Sequence, residues 1–200
     1  MGKQRVAICA AACNGLKASL VKRLFGLGLE LGKHDDVQYL PILVPRMHGP
    51  TCLNAAIHMA MEALSDAGPD ERLTHILWMD KDTMLTGAQA FRLLDAVDPR
   101  HPAVFAFDHT AMVMFRPRDQ RGELVRVQSA GFAAAAFDAD LFRELREPWF
   151  RWQKTDTVRA EDNYLCQFIE QGVPVYCDLG VRPAYVTWPV LREPETAVPA

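Results

Sequence analysis

Two aspartates, Asp80 and Asp82, stand two positions apart directly after a short apolar run. The run, residues 75–79, predicts a buried parallel strand, because such strands are apolar throughout and end where the chain reaches the surface. Open α/β sheets bind their ligands at the carboxyl ends of these strands. Paired carboxylates can hold Mg²⁺ or Mn²⁺, which prefer oxygen ligands and leave positions for phosphate. The same pattern also fits a solvated turn in which an aspartate caps a helix.

The apolar periodicity on both sides of this pair predicts the elements that position it. A first strand is expected at 5–12, a helix over 16–31 and a second strand at 36–44. A helix over 55–64 precedes the acidic pair, and a helix over 87–97 follows it. This order predicts an α/β fold of Rossmann type, with a doubly wound, mostly parallel sheet flanked by helices.

The second half of the chain is less regular, which predicts a sheet of mixed direction. A strand at 102–107 is followed by a hairpin over 111–115 and 123–128. The elements expected after the hairpin are a helix over 141–145 capped by Asp138, a helix opened by Glu161 and Asp162 and closed by Gly172, and a last strand at 173–178. One domain over 1–188 and a loose proline-rich tail over 189–200 account for the chain.

Composition narrows the class of protein. The chain has 200 residues, half of them hydrophobic, and a net charge of −3, which suits a globular domain and disfavours a surface that coats nucleic acid. No apolar run approaches the roughly 20 residues that span a bilayer. The five cysteines are scattered without a C-x-x-C pair, which predicts reduced, mostly buried thiols in a cytoplasmic protein. Cys9 and Cys13 are accordingly expected to be reduced and free of metal.

Four segments, taken in order, resemble a known family. They are Asp80-Lys81-Asp82, the run 130–137 leading into 140–145, Pro148-Trp149-Phe150, and 161–166 with 172–178 behind it. In this order and spacing they resemble the GT-A-fold glycosyltransferases, family-2-like, especially the small single-domain forms of bacteria and bacteriophages. The resemblance covers residues 5–185.

This resemblance implies a transferase that uses a nucleotide-diphosphate sugar, with UDP-sugars first, and Mn²⁺ or Mg²⁺ between the acidic pair and the diphosphate. It implies Asp82 as the direct metal ligand, Asp80 as a partner of the ribose or of a water on the metal, and Lys81 beside the nucleotide. It implies Asp162 as the general base of an inverting reaction, supported by Glu161. Two acids that merely stabilise the first turn of a helix would give the same sequence.

The resemblance also implies contacts to both substrates. The implied contacts are Ala10, Ala11, Asn14 and Asn54 to the nucleotide, and Gly131, Phe132 and Trp149 to the sugar or to the acceptor hydroxyl compound. For Trp149, packing in the core is an equally good interpretation of the sequence. The expected partners are therefore a nucleotide-sugar donor and a hydroxyl acceptor, with no nucleic acid and no membrane span, and a homo-oligomer is left open.

Two departures from the family pattern keep other functions open. No histidine follows His109, although relatives often place a metal-binding histidine after the last strand, and Leu53-Asn54 stands where many relatives have Arg-Asn. A non-catalytic GT-A-like protein that binds carbohydrate or a partner is therefore the main alternative. A haloacid-dehalogenase-like phosphatase is disfavoured by Met84 at the fifth motif position, and a nucleotidyltransferase by the missing glycine-rich loop near the N-terminus.

Overall fold

The computed structural model describes residues 4–12, 18–45, 49–64, 68, 71–107, 114–115, 123–129, 131–151, 168 and 170–185. Within these residues the elements are, in chain order, β1 (Gln4–Ala12), α1 (Ala18–Leu31), β2 (Val37–Pro45), α2 (Gly49–Glu62), β3 (His75–Met79), β4 (Thr83–Met84), α3 (Gly87–Ala96), β5 (Ala103–Ala106), β6 (Met114–Phe115), β7 (Leu124–Ser129), β8 (Ala134–Asp138), α4 (Leu141–Glu144), β9 (Val175–Asp178) and β10 (Ala184–Tyr185).

The main sheet has eight strands within the described residues, in the order β2-β1-β3-β8-β5-β9-β7-β6. β1 is parallel to both β2 and β3, and β5 is parallel to β9. β8 lies between β3 and β5 and is antiparallel to both, and β7 is antiparallel to β9. The carboxyl ends of β1, β2, β3, β5 and β9 therefore meet at one edge of the sheet, together with the start of β8.

Helices cover both faces of the sheet, which confirms the predicted doubly wound α/β architecture. Alternate residues of β1 point to opposite faces: Ala7, Cys9 and Ala11 pack in a core with α2, while Ile8 and Ala10 pack in a second core with α1 and α3. Since β1 is buried on both sides, nearly every residue of it removes apolar surface from water, at about 25 cal/mol per Å².

The first helix follows the predicted stripe closely. Leu20, Leu24, Leu27 and Leu31 are its buried leucines. Gly28 faces the Tyr39 ring so closely that a Cβ would collide with it, which is the physical reason for a glycine inside this helix.

Several elements differ from the sequence predictions, and three strands, β4, β8 and β10, were not predicted. α2 begins at Gly49, six residues before the expected start, because Pro50 suits the first helical turn, where its missing N–H costs nothing. The predicted cap by Asp138 is wrong: Asp140 is the N-cap of α4, while Asp138 ends β8 and accepts a hydrogen bond from the Asp140 N–H at 2.9 Å. A further strand, β10, follows β9 and pairs with β4.

Several predictions were tested by the described residues. The hairpin is confirmed in its described part, where β6 pairs antiparallel with β7. Cys9, Cys52 and Cys177 are buried thiols, and burial raises the pKa of Cys9 far above its usual range. Among the described residues, none of the helices has the length and apolar character needed to cross a membrane. Cys13, residues 161–167 of the helix predicted to begin at Glu161, and the tail over 189–200 lie outside the described residues. Phe168 and Glu170, near the predicted end of that helix, are helical.

Candidate functional site

The acidic pair occupies a tight turn at the carboxyl end of β3. Ile76 to Met79 are buried, and the chain turns as soon as it leaves the sheet. The Asp80 N–H donates to the Ala133 carbonyl at 2.9 Å, and the Thr83 N–H donates back to the Asp80 carbonyl at 3.0 Å. The turn 80–83, called the acidic loop below, is therefore fixed to the segment that leads into β8.

The exit of the acidic loop is equally well defined. Thr83 is buried, and β4 pairs antiparallel with β10, with Tyr185 opposite Thr83. Thr86 then caps α3: its side chain accepts from the Gln89 N–H at 3.2 Å, while the Gln89 side chain accepts from the Thr86 N–H at 3.0 Å. This reciprocal pair is a capping box, which confirms the helix start predicted after the acidic pair.

A residue of α1 that the sequence analysis did not single out holds the acidic loop by hydrogen bonds. Arg23, on α1, donates to the carbonyl oxygens of Lys81 at 2.6 Å and Thr83 at 2.8 Å. Its position on the helix is visible in the sequence, but no local pattern shows that it reaches residues some 60 positions away.

The charges of the acidic loop are unevenly distributed. Burial raises the pKa of Asp80 above its usual range; the Lys81 backbone N–H and ammonium oppose the rise, and the Asp82 charge adds to it. The Lys81 ammonium forms an ion pair with the Asp82 carboxylate, with 36% and 31% of the two side chains exposed. Asp80 is thus a carboxylate whose ionisation is penalised by burial, while Asp82 is held by a partly exposed cation.

This donor set is chemically suited to a divalent cation. Two carboxylates within one turn are hard oxygen ligands, and a cation beside them would relieve the burial penalty on Asp80. Among the described residues there is no group of three or more His, Cys, Asp or Glu side chains that could hold a metal. Because carboxylate oxygens are hard ligands and these ions commonly keep several waters, the donor chemistry of the loop suits Mg²⁺ or Mn²⁺.

The structure brings four other predicted residues to the same edge. Ala10 pairs with Met79 in the parallel register of β1 and β3, so Ala10 and Ala11 end beside the acidic loop. Gly131 and Phe132 directly precede Ala133, whose carbonyl receives the Asp80 N–H. Phe132 is half-buried and packs edge-on against Phe105 and Phe150, with ring centroids 5.0 and 5.5 Å apart.

The side chains of Asn54 and Trp149, which were predicted to contact substrate, contact other parts of the protein in the structure. The Asn54 side chain donates to the Phe150 carbonyl at 2.8 Å and accepts from the Phe150 N–H at 3.1 Å. The Trp149 ring is 4% exposed, with His58 at 4.7 Å and Phe142 at 5.5 Å between centroids. Both side chains fix the 149–150 segment against α2 and the aromatic core, and their contacts to substrate stay predictions.

The predicted base lies outside the described residues. The described residues do not include Asp162, and they also leave out Glu161 and Asn14. The expected proximity of Asp162 to Asp80 and Asp82 therefore stays a prediction. The structure places Asp80 and Asp82 together at the expected edge.

A second acidic residue at the same edge is bound tightly by an arginine. Asp178, the last residue of β9, is buried, and both its carboxylate oxygens accept from Arg92 on α3 at 2.8 Å. Arg92 also pairs with Glu123, and the pKa of Arg92 is raised by its hydrogen bonds to Asp178 and Glu123. The sequence showed Asp178 only as the end of a strand.

Comparison with known proteins places the fold but gives no family by sequence. No protein-family profile matches the chain, and no curated protein matches it. Among solved structures, A197 from STIV is similar with a TM-score of 0.56 and 11% identity, over 92% of this chain and 86% of that one. At this identity the likeness concerns the fold alone.

Two further solved structures are similar with TM-scores below 0.5. One is a glycosyltransferase involved in the glycosylation of the major capsid of PBCV-1, with a TM-score of 0.49 and 10% identity over 88% of this chain and 81% of that one. The other is the 4-diphosphocytidyl-2C-methyl-D-erythritol synthase of Anaerococcus prevotii, with a TM-score of 0.46 and 15% identity over 92% and 88%. The chain has a GT-A-like α/β fold, with a mixed sheet flanked by helices.

Proposed function

We propose that this chain is a metal-dependent glycosyltransferase that moves a sugar from a UDP-linked or related nucleotide-diphosphate donor to an acceptor hydroxyl. One observation carries the proposal: the acidic loop lies at the carboxyl end of β3 in a GT-A-like sheet, beside the end of β1. Two carboxylates in that place suit a divalent cation and a diphosphate.

In this proposal the acidic loop binds the donor. Asp82 is the direct ligand of Mn²⁺ or Mg²⁺, Asp80 binds the ribose or a water on the metal, and Lys81 turns from Asp82 to the diphosphate. When bound, the metal supplies charge stabilisation for the leaving nucleoside diphosphate. Ala10, Ala11 and Asn14 are the proposed contacts to the nucleobase, and Asn54 is a further proposed contact to the nucleotide.

The transfer itself is assigned to the acceptor side. The acceptor oxygen forms a bond to the anomeric carbon while the bond from that carbon to the diphosphate oxygen breaks, and the electron pair leaves with the diphosphate. Asp162 takes the acceptor proton, with Glu161 supporting it. Because this is a single displacement, with the acceptor attacking from the face opposite the leaving diphosphate, the configuration inverts. Gly131, Phe132 and Trp149 are the proposed sugar or acceptor contacts; because Trp149 is buried, its contact requires a movement that exposes the side chain.

The test is Mn²⁺-dependent hydrolysis of nucleotide sugars by the purified chain. We expect release of nucleoside diphosphate from at least one UDP-, GDP- or TDP-sugar, lost in Asp82→Ala. The matched control is Glu144→Ala, because Glu144 is an exposed acid in α4. Hydrolysis that survives in Asp82→Ala, or that fails equally in Glu144→Ala, contradicts the assignment.

One observation favours a second candidate, a non-catalytic GT-A-like protein that binds carbohydrate or a partner. Asp82 is already paired with the Lys81 ammonium, which competes with a metal for the same carboxylate. This candidate predicts binding of nucleotide or carbohydrate with no Mn²⁺-dependent hydrolysis for any donor. The phosphatase alternative loses its support from the fold, because β3 here has an antiparallel neighbour within a GT-A-like sheet.

A further inference from the structure

Arg23 forms three hydrogen bonds, and all three go to backbone carbonyls. Its Nε donates to Ser19 at 3.2 Å within α1, while its two terminal nitrogens donate to Lys81 at 2.6 Å and Thr83 at 2.8 Å. The guanidinium is planar with a fixed fork of donors, so binding three acceptors at once fixes its orientation. One side chain thus joins α1 to the acidic loop.

The two loop carbonyls belong to the residues immediately before and after Asp82. The Lys81 carbonyl belongs to the peptide unit that precedes Asp82, and the Thr83 carbonyl belongs to the unit that follows Thr83, so Arg23 holds the chain on both sides of Asp82 and restrains the direction of its Cα–Cβ bond. The peptide unit between Asp82 and Thr83 is held within the loop by the Thr83 N–H, which donates to the Asp80 carbonyl at 3.0 Å. The start of the loop is held from outside by the Ala133 carbonyl, which accepts from the Asp80 N–H at 2.9 Å. The backbone that presents the two carboxylates is therefore restrained by bonds to two separate parts of the chain.

We propose that Arg23 is a positioning residue for the divalent-cation site: by gripping the carbonyls on both sides of Asp82, it holds the carboxylates of the acidic loop in the arrangement that binds the cation. The inference rests on the proposed function and adds a residue on α1 to it. Groups that orient metal ligands commonly change metal affinity about 10- to 100-fold when they are removed.

Because Arg23 is positively charged, the direction in which cation affinity changes on its removal tests this inference. A guanidinium near the loop repels an incoming cation, so if Arg23 acted through its charge alone, its removal would strengthen cation binding. If Arg23 acts by positioning the loop, its removal weakens cation binding despite the lost repulsion. The two roles therefore predict opposite changes in the same measured constant.

The experiment measures the dissociation constant of Mn²⁺ for the full chain by electron paramagnetic resonance of the free ion, with and without UDP. The variants are Arg23→Gln, which removes both the charge and the fork, and Arg23→Lys, which keeps the charge but cannot grip two carbonyls at once. The control is Arg143→Gln, because Arg143 also bonds a backbone carbonyl, that of Leu73 at 3.2 Å, ahead of the amino end of β3.

We expect Arg23→Gln to weaken Mn²⁺ binding about tenfold or more, Arg23→Lys to weaken it as well because the fork is lost while the repulsion stays, and Arg143→Gln to leave it unchanged. Unchanged or tighter binding in Arg23→Gln overturns the inference while leaving the proposed function intact. If Arg23→Gln does not fold by circular dichroism, wild-type affinity in Arg23→Lys overturns it instead. A wild-type chain that binds Mn²⁺ in neither condition overturns both the inference and the proposed function.

Discussion

Two arginines lie near acidic residues at the same edge of the sheet, but one bonds the acid and the other bonds the backbone beside it. Arg92 donates to both oxygens of the Asp178 carboxylate, and Asp178 also accepts from the Gly180 N–H at 2.9 Å. Arg23 donates to the carbonyls beside Asp82. Arg92 bonds the carboxylate oxygens of the acid itself. Arg23 instead fixes the backbone that carries the acid. The atoms contacted, more than the residue types, therefore separate a structural acid from a candidate ligand.

The surroundings of the two acids agree with this distinction. Asp178 is buried, and the Arg92 guanidinium lies so close to Gly180 that a Cβ there would collide with it. Asp82 is 31% exposed, and its ion-pair partner Lys81 is 36% exposed and carried on a flexible stem. A buried, doubly bonded carboxylate stabilises the fold, whereas a partly exposed one can exchange its partner for a ligand.

The largest expected effect is on stability, from the change Asp178→Asn. We expect a loss of about 2 kcal/mol in the free energy of unfolding, because the change removes a charged, bidentate partner from Arg92 at a buried position. Urea unfolding measures the loss, and the Mn²⁺ dissociation constant should match that of the wild type. A variant of native stability would show that the Arg92 pair contributes nothing to the fold and would remove the contrast.

The same chemical change at the other acid, Asp82→Asn, is expected to weaken Mn²⁺ binding and to leave the stability of the chain unchanged. Mn²⁺ binding should weaken at least tenfold, about 1.4 kcal/mol, because the amide carries no charge to balance the cation. The melting temperature without ligand should be kept, since Asp82 lies on a loop and its loss opens no cavity.

Calorimetric scans with and without Mn²⁺ and UDP check this second expectation. The wild type should melt at higher temperature with both ligands, and Asp82→Asn should lose that rise, because only a ligand bound to the native state stabilises it. If the variant keeps the full rise, Asp82 is not the ligand. If the wild type shows no rise with any common nucleoside diphosphate, the non-catalytic alternative is preferred.

A smaller effect is expected from Lys81→Met, which tests whether the partner of Asp82 is exchangeable. Removing a partly exposed competing cation should tighten Mn²⁺ binding about threefold, in keeping with the low worth of such ion pairs. Binding of UDP in the presence of Mn²⁺ should weaken, because the ammonium no longer reaches the diphosphate. Lys33→Met, at an exposed lysine beyond α1, is the control, and equal changes in the two variants would refute the role of Lys81.

The smallest effect concerns the pH dependence of stability and is expected from a histidine at the start of the strand that carries the acidic loop. Burial lowers the pKa of His75, at the start of β3, while Asp138 and Asp95 act to raise it. Because the native state disfavours the charged imidazole, stability should fall as pH drops below the ordinary histidine value of about 6.5. His75→Gln should flatten this part of the profile of urea midpoints between about pH 7.5 and pH 5.5. An unchanged slope would assign the loss to other groups.

Much of the first half of the chain, which forms the parallel strands β1, β2 and β3, could be predicted, because its apolar patterns are local in sequence. β1, α1, β2, β3 and α3 all follow runs or stripes of apolar residues, and the acidic pair follows directly from the end of such a run. The edge at which Ala10 and Asp80 meet follows in turn, since parallel strands end together.

The rest depends on contacts between distant parts of the chain. The run Ala133–Phe137 is buried on both faces of β8, so it shows no alternation from which a direction or a neighbour could be inferred. β4 and β10 are two residues each, too short for any periodic signal. Arg23 and Arg92 show their importance only through the residues they reach, 58 to 86 positions away.

The pairing of β4 with β10 has a consequence for the order in which the protein is made and assembled. The acidic loop leaves the ribosome early, but the Ala133 carbonyl and the β10 strand that brace it are synthesised about fifty and a hundred residues later. Contacts this far apart in sequence close slowly and late in folding. A nascent chain that stops short of Ala184–Tyr185 would carry the complete acidic loop without its β-strand partner, so ligand affinity should be acquired among the last events of folding.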